Sequence, residues 1–244
     1  MNKVYSSFDK AVEDITDGAT ILMHNIGDNG GIPQNLIMAL RDHGARNLTV
    51  VTCNIGSGTG IRRIPGFKPV VNPNLLVSNG QVSKVISSWA INTPRAARQY
   101  GEVSAGEQAI NRDEVKWEPV PQGILAERIR AGAAGLGGFY SPVGVGTMVE
   151  EGKEKRNING KEYLLEMPIR GHFAFVRAYK ADTFGNLIYR GTARSFNPLL
   201  AMAADVVIAE VDDIVEPGEI DPNHVITPGV FVDRIVKIPE GGWK

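Results

Sequence analysis

The chain has 244 residues, of which 43% are hydrophobic, and a formal net charge of −1 at pH 7. This length fits one large α/β domain, and we predict a single domain over residues 1–244. The near-neutral charge argues against a nucleic-acid partner, which favours a basic protein. No apolar run reaches the ~20 residues of a membrane helix, and the start is too polar for a signal peptide. The single Cys53 excludes an internal disulfide, so we predict a cytoplasmic protein.

The first part of the chain predicts a strand–helix–strand unit. Ser7 can cap a short helix, and a buried strand follows over 19–23. Pro33 then opens a helix that Gly44 ends. The near-continuous apolar run over 48–52 is typical of a strand buried on both faces of a parallel sheet.

The later chain predicts two strands over 173–180 and 186–191 that are joined by a turn. A helix over 197–204 and a buried strand over 206–211 follow. These elements together predict an α/β fold, an open mixed and largely parallel sheet flanked by helices in three layers.

A turn rich in glycine and asparagine, from His24 to Gly31, separates the first predicted strand from the next helix. Such a turn exposes backbone N–H groups at a helix N-terminus, which suits a carboxylate, phosphate or thioester oxygen. His24 is either a proton carrier or hydrogen-bond donor to substrate, or a histidine bonded to local loop carbonyls. The candidate binding residues of this turn are His24, Asn25, Gly27 and Gly31.

Cys53 and Asn54 end the next predicted strand, where ligands collect in open α/β sheets. Asn54 is therefore a candidate for holding a substrate carbonyl or carboxylate. Cys53 has no visible His/Asn partner set, so we predict a small buried hydrophobe rather than a nucleophile.

The other three histidines carry no site prediction. We expect His43 on the surface at a helix end, and His172 and His224 on turns. No pair of histidines has metal-ligand spacing, so we predict no metal site.

The segment PQGILAERIRAGAAGLGGFYSPVGVGT, residues 121–147, is an amphipathic helix between Pro-Gln-Gly and a glycine-rich stretch. Gln122 has a restrained backbone and a neutral amide that can donate to a developing oxyanion. Each glycine costs roughly 0.5–1 kcal/mol relative to alanine, so this many indicate close approach to a ligand or a second chain. The candidate binding residues are Gly123, Gly137, Gly138 and Phe139.

Three charged residues of this predicted helix, Glu127, Arg128 and Arg130, have a spacing that suits a solvated face or a subunit contact. Further along, we expect Arg194 and Asn197 to pack at a helix start. The basic stretch over 62–68 is predicted as an exposed loop, with CoA phosphates as the alternative partner.

Together with EGKE at 151–154, the 121–147 segment resembles the A (alpha) subunit of family I CoA-transferases, the 3-oxoacid and acetate group. The resemblance continues at YRGTAR, residues 189–194, and covers nearly the whole chain, fading over 56–84 and 90–115. It implies the same three-layer fold and places the family's active-site glutamine at Gln122. It also implies coenzyme A esters as substrates and no tightly bound cofactor.

The chain departs from that family at two points. The family's loop begins with two glycines where this chain has His24 and Asn25. Cys53 replaces the first of the family's two asparagines, and Asn54 matches the second. At the first of these points, the side chains of His24 and Asn25 stand where the family leaves room.

The family's nucleophile is a glutamate in a Ser-Glu-Asn-Gly motif on the B subunit, and this sequence has no such motif. The resemblance implies a ping-pong transfer of CoA between a short-chain acyl-CoA, such as succinyl-CoA or acetyl-CoA, and a carboxylic or 3-oxo acid. The glutamyl-CoA thioester would form on a separate beta subunit, in a heterodimer or heterotetramer.

Two alternatives use the same scaffold. In the first, the chain is the A-type subunit of a hydrolase that opens the ring of cyclic β-diketone CoA esters. Its key glutamate would lie on this chain, with Glu102, Glu107 and Glu118 as candidates. In the second, the chain is a non-catalytic binding or regulatory subunit, which the retained PQG helix and glycine stretch disfavour.

Overall fold

The computed structural model describes residues 2–26, 30–56, 58, 60–62, 69–90 and 103–243. Their central feature is an eight-stranded sheet, accompanied by a three-stranded and a two-stranded sheet. The strands are β1 (Thr20–Met23), β2 (Leu48–Asn54), β3 (Ile61–Arg62), β4 (Val70–Val71), β5 (Val82–Trp89), β6 (Lys116–Pro119), β7 (Phe139–Ser141), β8 (Lys155–Ile158), β9 (Lys161–Glu166), β10 (Gly171–Asp182), β11 (Leu187–Ile188), β12 (Ala204–Val215) and β13 (Arg234–Lys237).

The helices lie between strands at several places along the chain. The α-helices of the described residues are α1 (Phe8–Val12), α2 (Gln34–His43), α3 (Asn74–Ser78), α4 (Ala105–Asn111), α5 (Gln122–Ala133) and α6 (Asn197–Leu200). Short 3-10 helices lie at Met148–Glu150, Gly191–Arg194, Pro222–His224 and Gly229–Phe231. No helix of the described residues is both long and apolar enough to cross a membrane.

The central sheet has the strand order β13-β12-β10-β1-β2-β5-β6, and every neighbouring pair along this path is parallel. The short strand β11 adds an antiparallel hairpin partner to β10. The predicted open, mixed and largely parallel sheet is therefore confirmed. Because the strands are parallel, their carboxyl ends lie along one edge of the sheet.

Two hydrophobic cores cover the two faces of this sheet, which confirms the predicted three layers. One core packs α1 to α4 against side chains such as Ile21 and Val50. The other packs α5 and α6 against their neighbours in sequence, Leu22 and Val51. Successive residues of a strand point to opposite faces, which explains this division.

Local signals account for the ends of the first helices. The Ser7 side chain accepts a hydrogen bond from the Lys10 N–H and caps α1, as predicted. Gly44 ends α2 at φ 83°, a left-handed conformation that glycine adopts without strain.

Three predictions of secondary structure are wrong. The strand predicted over 186–191 is only the two-residue β11, and a 3-10 helix begins at Gly191. The helix predicted over 197–204 ends at Leu200, and tight turns lead directly into β12 at Ala204. His172 lies in β10 rather than on a turn, and its Nδ1 accepts a hydrogen bond from the Thr20 N–H at 2.9 Å. At the helix end and at His172, β10 and β12 extend further than local propensity indicates. The two strands pair from Gly171 and Ala204 to Asp182 and Val215.

Candidate functional site

Four neighbouring strands end together at the carboxyl edge of the sheet. Leu22 of β1 lies beside Val51 of β2, which lies beside Ile86 of β5. Ser87 of β5 is in turn paired with Pro119 of β6. The residues that follow these strands are thus brought to one place, the position where open α/β sheets bind ligands.

Gln122 begins α5 three residues after the end of β6, with Pro121 as its N-cap. Its side chain is exposed, and no described residue hydrogen bonds to its amide. It lines an open cavity of about 310 Å³. The other lining residues are Ser88, Trp89, Trp117, Pro119, Val120, Pro121 and Val149. The amide is thus available to a ligand, and Gly123 beside it leaves open space.

His24 follows β1 and is only 1% exposed. Burial lowers the pKa of its imidazole to about 4, so the ring is neutral at pH 7. The Gly30 backbone lies near enough to oppose part of that shift, yet neither ring nitrogen has a partner with hydrogen-bond geometry among the described residues. Both interpretations of His24, as a contact to substrate and as a histidine bonded to a local loop carbonyl, stay predictions, and the interaction with the Gly30 backbone supports the second.

Cys53 is buried in the core beneath α5, as predicted for a small hydrophobe. Burial raises the pKa of its thiol, and the nearby Ser88 hydroxyl offsets only part of that rise. Because the reactive form of cysteine is the thiolate, this environment disfavours a nucleophile. The neighbouring Asn54 uses its Oδ1 to accept a hydrogen bond from the Gly56 N–H at 2.6 Å, which fixes the side chain in a local turn.

The N-terminus of α2 is occupied by a carboxylate of the chain itself. The buried Glu210 of β12 accepts hydrogen bonds from the N–H groups of Asn35 and Leu36 at 2.9 and 3.0 Å. Burial raises the pKa of Glu210 to about 7, against the opposing effect of Arg177 and these N–H groups. The prediction that this helix end presents free N–H groups to a substrate anion is therefore wrong.

The glycine turn itself packs against the chain near α6. An added Cβ on Gly31 would lie 2.7 Å from the Cα of Ala193, and Gly31 has φ 75°. The buried Asn197 donates to the Gly31 carbonyl at 2.9 Å, which extends its predicted packing role to this turn. Asn25 is fully buried. Gly27 lies outside the described residues.

A second cavity of about 220 Å³ opens beside Gly30 and Gly31. Arg190 stacks over the Tyr179 ring at 3.2 Å from its centroid, and Arg177 pairs with Asp212 at 2.7 Å. All four of these side chains line the cavity, and of the four only Arg190 lies in a motif quoted from the sequence, YRGTAR over 189–194.

The glycine-rich stretch begins at the opposite end of α5 from Gln122. A helix of twelve residues spans about 18 Å, so Gly137, Gly138 and Phe139 start far from the cavity. Gly138 lies against the Glu166 carbonyl, and Phe139 opens β7 against the second core. The chain then returns, and Val149 reaches the cavity. A binding role for Gly137, Gly138 and Phe139 stays a prediction.

The charged residues of α5 divide into two kinds. Arg128 is largely buried and bonds to Glu118 at 2.8 Å and to the Met167 carbonyl at 2.7 Å, so it is not on a solvated face. Arg130 and Glu127 form an exposed ion pair. Burial acts to raise the pKa of Glu118, but hydrogen bonds from Lys84 and Arg128 outweigh it and hold that pKa below its usual value.

The remaining candidate residues lie away from the Gln122 cavity or outside the described residues. Arg194 donates to the Tyr189 carbonyl at 3.2 Å, in line with packing at this turn. Glu107 lies in the first turn of α4. Glu102 and the stretch 63–68 lie outside the described residues. Ser88 and Trp89, which the sequence analysis did not select, follow the same rule as Asn54, since they too end a parallel strand.

The fold and the cavity define an α/β protein with a candidate ligand site at the carboxyl edge of a parallel sheet. The sequence profile of the family described as Coenzyme A transferase matches residues 5–238. The chain belongs to this family.

Two relatives match almost the whole chain. The A subunit of the 3-oxoadipate CoA-transferase of Pseudomonas putida is 44% identical, over 98% of this chain and 94% of the relative. The A subunit of the probable succinyl-CoA:3-ketoacid coenzyme A transferase of Bacillus subtilis is 45% identical, over 97% and 90%.

Solved structures agree on the fold. An acyl-CoA transferase of E. coli O157:H7, as a thioester complex with CoA, has a TM-score of 0.78 at 23% identity over 98% of this chain. The present chain spans about half of that protein, covering 47% of its length. A variant of the decarboxylase AibA/AibB has a TM-score of 0.75 at 25% identity, over 99% of this chain and 86% of the other.

Proposed function

We propose that this chain is the A subunit of an enzyme that moves CoA between a short-chain acyl-CoA, such as succinyl-CoA or acetyl-CoA, and a carboxylic or 3-oxo acid. The observation that carries the proposal is Gln122, whose amide has no hydrogen-bond partner among the residues that the structure describes and lines an open cavity at the carboxyl edge of the sheet. The names of the two relatives, which act on 3-oxoadipate and on a 3-ketoacid, support the substrate class.

A separate beta subunit completes this site. The sequence has no Ser-Glu-Asn-Gly motif to supply the nucleophilic glutamate. Beside the cavity, Trp89 is 53% exposed, and Met148, next to the lining residue Val149, is 76% exposed. Large apolar side chains exposed around a cavity are typical of a surface that a partner covers. The two chains would assemble as a heterodimer or heterotetramer.

The reaction proceeds in two halves. The partner's glutamate attacks the thioester carbonyl of the acyl-CoA, the C–S bond breaks, and an acyl-glutamyl anhydride and CoA thiolate form. The thiolate then attacks the glutamyl carbonyl, which releases the first acid and leaves a glutamyl-CoA thioester. The incoming carboxylate attacks this thioester to give a new anhydride, and the CoA thiolate takes the new acyl group and restores the glutamate.

Gln122 contributes to each of these acyl transfers. Every attack on a carbonyl passes through a tetrahedral species with negative charge on oxygen, and a fixed neutral donor stabilises that charge more than it stabilises the starting carbonyl. The position of Gln122 at the start of α5 adds the positive end of the helix dipole.

The second candidate is cleavage of a carbon–carbon bond in a CoA ester. Its support is the similarity to AibA/AibB, a decarboxylase, which indicates that this scaffold carries carbon–carbon chemistry. The glutamates on this chain give it less support, because Glu118 is held by Lys84 and Arg128 at 2.7 and 2.8 Å.

The test is to purify the chain alone and in complex with its beta subunit, and to supply succinyl-CoA and acetoacetate. We expect acetoacetyl-CoA and succinate from the complex and no product from the chain alone. Release of free CoA without a new acyl-CoA would contradict the transferase.

A further inference from the structure

One edge of β10 has a gap between two neighbouring strands. β1 pairs with β10 as far as Phe175, and β11 pairs with it from Lys180. Because β12 occupies the whole of the other edge, β1 and β11 lie on the same side of β10. The second cavity, of about 220 Å³, is lined by residues 177–179 of β10, which lie between the two pairings. We name it the gap cavity.

Buried contacts fix the walls of the gap cavity. The fully buried Asn197 accepts a hydrogen bond from the Arg177 N–H at 3.0 Å through its Oδ1. Its Nδ2 donates to the carbonyl of the lining residue Gly31 at 2.9 Å. Asn197 thus connects the glycine turn to β10. The cavity is therefore pre-formed, as sites for small molecules usually are.

The gap cavity contains one cation without an ion pair. Arg177 is neutralised, because Asp212 lies at 2.7 Å from its guanidinium and Glu210 at 3.5 Å. Arg190 lies 3.2 Å from the centre of the Tyr179 ring. Two planar groups at this distance lie face to face, so the N–H groups at the edge of the guanidinium stay available. Among the residues that the structure describes, no carboxylate forms an ion pair with Arg190.

The size and lining of the gap cavity indicate the kind of ligand. Sites for drug-sized molecules have volumes of about 300–1,000 Å³, so this cavity suits a smaller one. The fork of an arginine matches two oxygens of a carboxylate or phosphate and binds them with two parallel hydrogen bonds. Ile32, Val70 and Ala193 add apolar surface. The ligand is therefore a small molecule with one oxyanion group.

The gap cavity is separate from the cavity of Gln122. No residue lines both cavities. The strand β5, whose Ser88 lines the Gln122 cavity, is separated from β10 by β1 and β2. Neighbouring strands lie about 4.8 Å apart, so β5 and β10 are roughly 14 Å apart.

We propose that the gap cavity is a second ligand site of this chain, which binds a small carboxylate or phosphate through the guanidinium of Arg190. The site does not depend on the transfer chemistry proposed for Gln122. Its ligand contacts Gly30 and Gly31, which lead from β1 to α2, and binds only the folded chain. Binding therefore raises the melting temperature.

The test uses inorganic phosphate and acetate as probes, added to the complex with its beta subunit at constant ionic strength. The dissociation constant is obtained from the rise in melting temperature with probe concentration. Arg190→Ala removes the guanidinium, and Arg190→Lys keeps the charge without the fork. Arg130→Ala is the matched control, because it removes an exposed arginine that does not line the cavity. Gln122→Ala tests whether the two cavities are separate.

We expect a saturable rise in wild type and a dissociation constant that is about tenfold or more higher in Arg190→Ala. Arg190→Lys should lie between the two, and Arg130→Ala and Gln122→Ala should equal wild type. Saturation by acetate alone would assign a carboxylate ligand, and saturation by phosphate alone would assign a phosphate.

Three results would overturn the proposal. The first is no saturable rise with either anion, and the second is an equal dissociation constant in wild type and Arg190→Ala. The third is loss of binding in Gln122→Ala, which would place the anion in the Gln122 cavity. Because every readout is of binding, a complex that binds the anion but transfers no CoA would overturn the proposed function alone.

Discussion

The burial of His24 predicts a specific dependence of stability on pH. Its pKa is lowered from 6.5 to about 4 by burial in the folded chain. Below pH 6.5 the unfolded chain therefore takes up a proton that the folded chain takes up only near pH 4. The stability that the neutral ring contributes is present above pH 6.5 and is lost as the pH falls to 4.

The size of this effect follows from the shift. One pKa unit corresponds to about 1.4 kcal/mol, so the whole shift of His24 is worth about 3 kcal/mol below pH 4. At pH 5 the same linkage gives about 2 kcal/mol. His24→Leu removes the titrating group. The free energy of unfolding of this variant should therefore not show the decrease that His24 causes at low pH.

The assay is urea denaturation of the wild-type chain and the variant at pH 7.5, 6, 5 and 4. The quantity compared is the difference in unfolding free energy between the two proteins, in which all other titrating groups, Glu210 included, cancel. We expect the unfolding free energy of His24→Leu, relative to that of wild type, to increase by about 2 kcal/mol when the pH is lowered from 7.5 to 5. His24→Gln, which also lacks the titration, should give the same change. Parallel curves for wild type and both variants would refute the reasoning.

Three further predictions concern single residues. Gln122→Ala should lower turnover of the complex by roughly 10²–10³-fold, measured by steady-state kinetics, with an unchanged melting temperature; an effect under threefold would contradict its role. Gly31→Ala should destabilise the chain by about 2 kcal/mol or more in urea, because the added Cβ meets backbone. Gly18→Ala, with a similar φ and open space, should cost less. Arg128→Ala should cost about 1–2 kcal/mol, and Arg130→Ala, whose ion pair is exposed, under about 0.5; equal costs in either pair would contradict the packing.

Much of the fold follows from local patterns in the sequence. The helix from Pro33 to Gly44 has clear start and stop residues, and the apolar run over 48–52 has the character of a strand buried on both faces. The region over 197–204 misled because alanine and methionine favour a helix, whereas pairing with β10 draws Ala204 into β12. The boundary between the helix and β12 is set by strand pairing, which local propensity does not report.

The cavity-lining residue Gln122 of the candidate site could be selected from the sequence through its Pro-Gln-Gly context. Asn54 was selected for its place at a strand end, but its side chain is used in a local turn. Ser88 obeys the same strand-end rule, but its strand, β5, was not predicted from the sequence. Glu210 was out of reach, because the residue that caps α2 lies 175 positions from Asn35 along the chain. Contacts of that range arise only from the strand order of the sheet.

Trapping with borohydride locates the covalent intermediate and so tests the central claim, that this chain forms a CoA-transferase site with its nucleophile on the partner. The complex is incubated with acetoacetyl-CoA or succinyl-CoA, treated with borohydride to reduce a glutamyl-CoA thioester, and mapped by mass spectrometry. The account predicts one reduced glutamate on the partner and none on this chain. A reduced glutamate on this chain, or no label while the CoA ester is consumed to free CoA, would contradict it.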